Sequence, residues 1–241
     1  TPAAPMIIAI DGPAASGKSS TARAVARRLG FRHLDSGAFY RALTHAALRA
    51  GIPADAWPKL STRDLDALRA HARHYDRTLR LFAGDEDITG QIRSPEVNAH
   101  VSLMARVPAV RDWLLARLRE AAAVGNLVAD GRDMGTVVFP DAALKVFLVA
   151  RPEVRARRRL AEVGVHEPDA DTLAAEAQRL LERDRIDSER PVAPLRRAHD
   201  AVVVDTSDLS FDEQVDRIVG LARERMGAGG GGGAGVDGVR K

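Results

Sequence analysis

The sequence predicts an α/β fold: a parallel β-sheet flanked by helices, with a small antiparallel hairpin inserted into it. Short apolar runs recur along the chain and alternate with segments of helical period. The first of these runs leads into a glycine-rich loop and then a helix. One stretch, 76–90, switches instead to period-two alternation and stands apart from the main strand series.

The first strand is Ile7-Ile8-Ala9-Ile10, followed by Asp11 and then Gly12-Pro13-Ala14-Ala15-Ser16-Gly17-Lys18-Ser19. That loop fits G-x-x-x-x-G-K-[ST], with a strand before it and a helix after it. At average residue frequencies the fixed positions arise by chance in roughly one chain in 100 of this length. The helix reads from Ala22, Val25, Ala26 and Leu29, which share a face. The glycines let successive N–H groups point into one concavity, and the helix adds its free N–H groups and the positive end of its dipole. The loop is therefore built for an anion. Lys18 can reach β- and γ-phosphates, and Ser19 offers a hydroxyl to Mg²⁺. A nucleoside triphosphate site is expected over Gly12, Pro13, Ala14, Ala15, Ser16, Gly17, Lys18, Ser19 and Ser20, in a three-layer fold like that of P-loop NTP hydrolases.

His33 to Gly37 reads as a short second strand running into a loop, and residues 38–50 as a helix. Ser61-Thr62-Arg63-Asp64 forms a capping box for a helix carrying Leu65 and Leu68. Leu79, Leu81 and Ala83 then alternate with Thr78, Arg80 and Phe82 before the turn Gly84-Asp85, which predicts a hairpin within an appended subdomain over about 60–92. Ser94-Pro95-Glu96 starts one helix and Pro108 another, with Val110, Leu114, Leu118 and Ala121 on its inner face. Leu127–Asp130, Leu144–Ala150 and Ala201–Asp205 are the remaining strands, with arginine-rich helices at 152–163 and 171–187 between the last two. The final helix opens on the capping box Ser210-Phe211-Asp212-Glu213 and carries Val215, Ile218 and Ala222. After Met226 a glycine-rich tail, 227–241, has nothing to bury and is expected to lie outside the fold. Loops 12–19, 35–41 and 131–135 follow three strands at their C-terminal ends, where a parallel sheet places its ligands.

The 241 residues suffice for one α/β core, and 45% apolar with 29% charged residues is ordinary globular composition. There is no apolar run long enough to span a membrane and no secretory leader before the first strand, so a cytoplasmic protein is expected. The absence of cysteine removes disulfides and thiolate metal sites. The net charge is +3 with lysine only at 18, 59, 145 and 241, so the basic charge is almost all arginine. That bias suits nucleic acid or bidentate phosphate contacts, or reflects codon usage alone. The 33 acidic residues interspersed with the arginines weigh against the first, and no nucleic-acid partner is expected.

A phosphate loop alone permits kinase, GTPase, motor or ATPase. There is no N-K-x-D for guanine, and Ala129-Asp130 followed by glycine is not the extended acidic motif of oligomeric ATPases. Arginines spread over several loops suit phosphoryl transfer to an acceptor that is itself anionic, where repulsion between two phosphates is the main obstacle. A monophosphate oxygen is already ionised at neutral pH, so no general base is demanded. The seven histidines read as surface or structural residues.

Four elements resemble bacterial cytidylate kinases, in order and spacing, along about 1–225. They are Gly12-Pro13…Gly17-Lys18-Ser19, Asp35-Ser36-Gly37-x-x-Tyr40-Arg41, the decapeptide Gly131 to Pro140, and Glu182-Arg183-Asp184…Val192-Ala193-Pro194-Leu195. The resemblance implies ATP and Mg²⁺ as cofactors, CMP and dCMP as substrates, and one kinase domain over 1–226. Within that domain it implies a monophosphate-binding insertion at about 36–120 and a lid at about 152–190. It further implies that Ser102, Arg111 and Asp133 meet the cytosine ring, Asp133 accepting from the exocyclic amine. Arg132 and Arg41 would clamp the acceptor phosphate, and Ser36, with Arg190 nearby, would anchor the ribose-phosphate end, with Asp35 and Tyr40 in the same substrate site. Arg183 and Asp187 would hold the sugar 2′-hydroxyl. Lys18, Arg132 and Arg158 would be catalytic, with Arg155, Arg158 and Arg159 in the lid. A monomer is expected. A kinase for another small acceptor, or an RNA-binding module, are the competing readings. Structural readings also stand for Arg111 (a surface charge), 155–159 (a solvated face), Asp187 (a helix-pair partner) and Asp35-Ser36 (a helix cap). The loop departs from its relatives at Ala14-Ala15-Ser16 and Ser19-Ser20, and Val149 stands where an acidic residue is expected.

Overall fold

The structure is a computed structural model that describes residues 5–75 and 78–229. The chain opens with β1 (Ile7–Asp11), α1 (Lys18–Leu29), β2 (Arg32–Asp35) and α2 (Ser36–Arg49). A short helical turn at Ala54–Lys59 and α3 (Thr62–Ala67) lead to β3 (Ala70–Tyr75), β4 (Thr78–Ala83) and β5 (Glu86–Asp87). Then follow α4 (Pro95–Met104), α5 (Pro108–Ala122), β6 (Leu127–Gly131), β7 (Leu144–Val149), α6 (Pro152–Glu162), α7 (Ala170–Glu189), β8 (Val202–Asp205) and α8 (Phe211–Gly229).

Five strands form one parallel sheet in the order β2-β6-β1-β7-β8, with Ile10 opposite Asp130 and Asp11 opposite Phe147. Successive side chains on a strand face opposite ways, so β1 serves two cores. Ile8 and Ile10 pack with Val25 of α1 and Val215 and Ile218 of α8. Ala9 packs on the other face with Leu43 of α2 and Leu114 and Leu118 of α5. Strands covered on both faces read as unbroken apolar runs, which is why β1, β6 and β7 stand out in the sequence.

The expected helix starts are built as read. Ser61 and Asp64 complete a capping box, Ser94 caps α4 with Pro95 in its first turn, and Pro108 opens α5. Ser210 and Glu213 exchange reciprocal bonds at the start of α8. Three features differ. The hairpin expected over 76–90 is a three-stranded antiparallel sheet, because Ala70–Tyr75 pairs along β4. The helix expected from residue 38 begins at Ser36, capped by Asp35, whose carboxylate accepts from the Ala38 N–H at 3.0 Å. The last helix continues through Gly227-Ala228-Gly229, since adding a residue to a helix anchored by packing is far cheaper than starting one. The rest of the expected tail, 230–241, lies outside the described residues. Among the described residues no helix is long and apolar enough to cross a membrane.

Candidate active site

The crevice lies at the C-terminal ends of β1, β2 and β6, where the three loops singled out in the sequence converge. Gly12 is required by close approach: a Cβ there would stand 2.4 Å from the Leu148 carbonyl oxygen of β7. Gly17 takes a left-handed conformation, φ 84°, and caps α1. Within the loop Lys18 Nζ donates to the Pro13 carbonyl at 2.9 Å, and the buried Ser16 hydroxyl has no protein partner. The Ser20 hydroxyl turns back onto the Gly17 carbonyl at 2.8 Å.

Ser19 Oγ donates to Asp130 Oδ2 at 2.5 Å, and His33 Nε2 stands 2.7 Å from Asp130 Oδ1. Burial works to raise the Asp130 pKa, but the His33 and Ser19 contacts and the Lys18 charge hold it below the usual carboxylate range. Asp130 was not singled out from the sequence as a site residue. A hydroxyl beside an ionised carboxylate at the phosphate loop is a donor set suited to a hard divalent cation. Among the described residues there is no cluster of three or more His, Cys, Asp or Glu side chains that could hold a metal.

Beyond the loop lies a concentration of positive charge. Burial, then Arg132 and Arg183, push the Lys18 pKa down to about 7. Burial also lowers Arg41, to about 10, with Arg183, Arg93 and Arg132 adding to the effect against Asp35. Arg183 is lowered chiefly by burial and then by Arg132. These cations destabilise one another and are incompletely bonded: Arg41 Nε and Arg183 Nε are buried without partners. Arg132 donates to Asp187 at 2.8 Å, and Asp187 is held ionised by Arg132, Arg183 and Arg190 against the effect of burial. Such an arrangement calls for anionic ligands.

Next to this charge is a small pocket lined by Tyr40, Arg111, Asp133, Val138 and Ala193. Asp133 is buried and ion-paired to Arg111, which also donates to the Ala105 carbonyl at 3.1 Å and lies over the Tyr40 ring. Arg190 Nη2 stands 3.8 Å from the other Asp133 oxygen and makes no hydrogen bond, while Arg190 Nε donates to the Ala193 carbonyl. Burial raises the Asp133 pKa, opposed by Arg111, Arg190 and Arg132. Burial likewise pushes the Tyr40 phenol up to about 12. Asp11, at the end of β1, accepts from the Met134 and Gly135 N–H groups at 2.8 Å each and so fixes the turn that presents Asp133.

The remaining residues fall as follows. Ser36 donates to the Asp130 carbonyl at 2.8 Å, and Asp35, besides capping α2, pairs with Arg93 at 3.0 Å. Ser102 is half-buried on α4. Arg111 is buried, not a surface charge. The run 155–159 is not simply a solvated face either: Arg155 is buried, Arg158 donates to the Thr206 hydroxyl and carbonyl at 2.9 and 2.7 Å, and Arg159 pairs outward with Glu162. Val149 pairs in register with Asp205 of β8, so an acidic residue does stand at that end of the sheet, one strand over.

A phosphate loop, a cationic cluster beyond it and a polar pocket beside that cluster are the arrangement of a P-loop kinase for a phosphorylated small molecule. The sequence comparisons narrow this class. The profile of the cytidylate kinase family matches residues 8–224, and the chain belongs to that family. A cytidylate kinase from a Geobacillus species is 46% identical over 222 residues, 91% of this chain and 97% of the relative. One from Mycobacterium avium is 46% identical over 224 residues, 92% and 97% of the two chains. One from Methylococcus capsulatus is 48% identical over 215 residues, 87% and 93% of the two.

Proposed function

We propose that this protein transfers the terminal phosphoryl group of ATP to CMP and dCMP, giving CDP and dCDP. The carrying observation is Asp133, a buried carboxylate held between Arg111 and Arg190 beside the cationic cluster. A carboxylate accepts from the exocyclic amine of cytosine and repels the carbonyl that uracil carries at the same place. Arg111 and Ser102 supply donors for the ring acceptors, and Tyr40 covers the ring edge. Arg41 and Arg132 bind the acceptor phosphate, whose ionised oxygen attacks the γ-phosphorus of ATP. The bond to the β-phosphate oxygen breaks, and ADP leaves. Arg183 and Asp187 reach the sugar hydroxyl, with Asp35, Ser36 and Arg190 at the same end.

The loop from Gly12 to Ser20 cradles the β- and γ-phosphates, with Lys18 across them and Arg158 poised at its outer side. Ser19 and Asp130 would hold Mg²⁺, which when bound would neutralise charge on the phosphate oxygens. In this reading residues 1–226 work as one domain, with acceptor contacts in 36–120 and a lid in 152–190. A monomer is the working form in this reading. A coupled assay with CMP, dCMP, UMP, AMP and dTMP tests the reading. Cytidine monophosphates should give the highest kcat/KM, and preference for any other acceptor overturns the assignment of Asp133.

A further inference from the structure

The motif Glu182-Arg183-Asp184 holds a residue that the reaction as described does not use. Arg183 faces the acceptor cluster, but Asp184 turns to the opposite ligand's loop. Its Oδ1 accepts from the Ala14 N–H at 2.8 Å, while Arg155 Nη1 donates to the Ala14 carbonyl at 3.0 Å. Arg155 and Asp184 are also ion-paired to each other, with side chains 5% and 15% exposed. Ala14 is thus gripped on both its polar groups by two lid helices, α6 and α7.

The next residue sharpens the point. Ala15 has φ 55°, a left-handed conformation that a residue with a Cβ rarely adopts. Such strain persists where the surroundings over-determine it. Here Ala14 packs in a small apolar cluster with Ala156, Ala177 and Leu180, and Ala15 lies against it. The loop is therefore braced from its outer face by a charge pair and an apolar contact. Within the loop the buried Ser16 hydroxyl is left without a protein partner. Converging donors repel one another when no anion is present, so a fixed nest needs such a brace.

We propose that Asp184 and Arg155 are positioning residues that set the curvature of the phosphate loop through Ala14 and thereby the affinity for the donor's polyphosphate. Both act on the loop backbone and on each other. Because Arg183, Asp184 and Asp187 ride on one helix, the brace also ties the donor loop to the acceptor side. This rests on the loop being the donor nucleotide site.

The test is calorimetric titration of ADP into the full chain and its Asp184→Ala and Asp184→Asn variants, with melting temperatures and steady-state kinetics in parallel. Asp184→Ala should weaken ADP binding and raise KM for ATP by about tenfold to a hundredfold, with KM for CMP changed far less. Asp184→Asn keeps an acceptor for the Ala14 N–H and should recover most of the affinity. Where Asp184→Ala does not fold, Arg155→Lys, which keeps charge but loses the fork, should show the same selective loss in weaker form. ADP affinity unchanged in a folded variant, whatever happens to its melting temperature, overturns the brace. Failure of the unsubstituted chain to bind ADP would instead sink the donor-site reading beneath it.

Discussion

Replacing Asp133 by asparagine separates base reading from simple support of the pocket. The side chain keeps its shape and one carbonyl oxygen but loses its charge, and its amide can rotate to donate. Towards CMP it can still accept from the amine, more weakly. Towards UMP the repulsion of a carbonyl by a carboxylate disappears, and a donor becomes available. A good polar base contact is worth about 1–3 kcal/mol of discrimination. The kcat/KM ratio for CMP over UMP should therefore fall by about 5- to 150-fold, at about 1.4 kcal/mol per tenfold. The substitution also removes the counter-charge of a buried Arg111 and leaves Arg190, 3.8 Å away, less compensated. Breaking a buried pair costs about 3–5 kcal/mol, a large part of the roughly 5–15 kcal/mol that holds a domain folded. The retained amide oxygen should keep the loss at or below the lower end. Kinetics belong at a temperature well under the variant's own melting point, measured by calorimetry on the same sample. Equal losses of kcat/KM for the two nucleotides would refute the reasoning and reduce Asp133 to a clamp for Arg111.

Two further predictions follow from the same geometry. Burial and the neighbouring arginines push the Lys18 pKa down to about 7, so the free protein should hold it largely uncharged at pH 8 and restore the charge beside a polyphosphate. ADP binding at pH 8 should then take up close to one proton, and clearly less at pH 6, where the lysine is already protonated. Titration calorimetry in buffers of different ionisation enthalpy reads the number directly, and no uptake at pH 8 would show that Lys18 stays charged when the loop is empty. At Gly131 a Cβ would stand 2.5 Å from Ser36 Oγ and 2.9 Å from Met134, both packed into the site. Gly131→Ala should cost about 1–3 kcal/mol and lower the melting temperature by several degrees; an unchanged melting temperature would mean that the β6 end yields more readily than its packing implies.

The phosphate loop was legible because its glycines, its lysine and the strand–helix frame are all local. The parallel sheet was legible because doubly covered strands are unbroken apolar runs. β3 was not, since Ala70-His71-Ala72-Arg73-His74-Tyr75 has no branched apolar residue and its pairing with β4 supplies what its composition lacks. Asp130 escaped notice for a related reason. A lone acid at a strand end carries no local signal, and only the β1–β6 register brings it to Ser19. The acid of that strand pair and the serine after the lysine, read together as neighbours across a parallel sheet, would have found it. Asp11 and Asp184 act on backbone N–H groups remote in sequence, and no residue-type pattern records such bonds.

The two flanks of the crevice are anchored very unequally. Trp57, Leu65, Leu81, Ile88 and Ile92 of the inserted region share one continuous apolar mass with Ala9, Leu34 and Ala129 of the sheet. Helices α6 and α7, by contrast, meet the phosphate loop through a small apolar patch, Ala156, Ala177, Leu180 and Leu173 against Ala14 and Ala15, and through the Arg155 and Asp184 bonds to Ala14. Chimeras that import the acceptor-side segment from a relative must carry its matching sheet and α5 residues too, or they open voids beneath it. Grafts of the 152–190 segment face a smaller apolar seam, but they must keep Arg155 and Asp184 against Ala14, and Asp187 and Arg190 against Arg132 and Asp133.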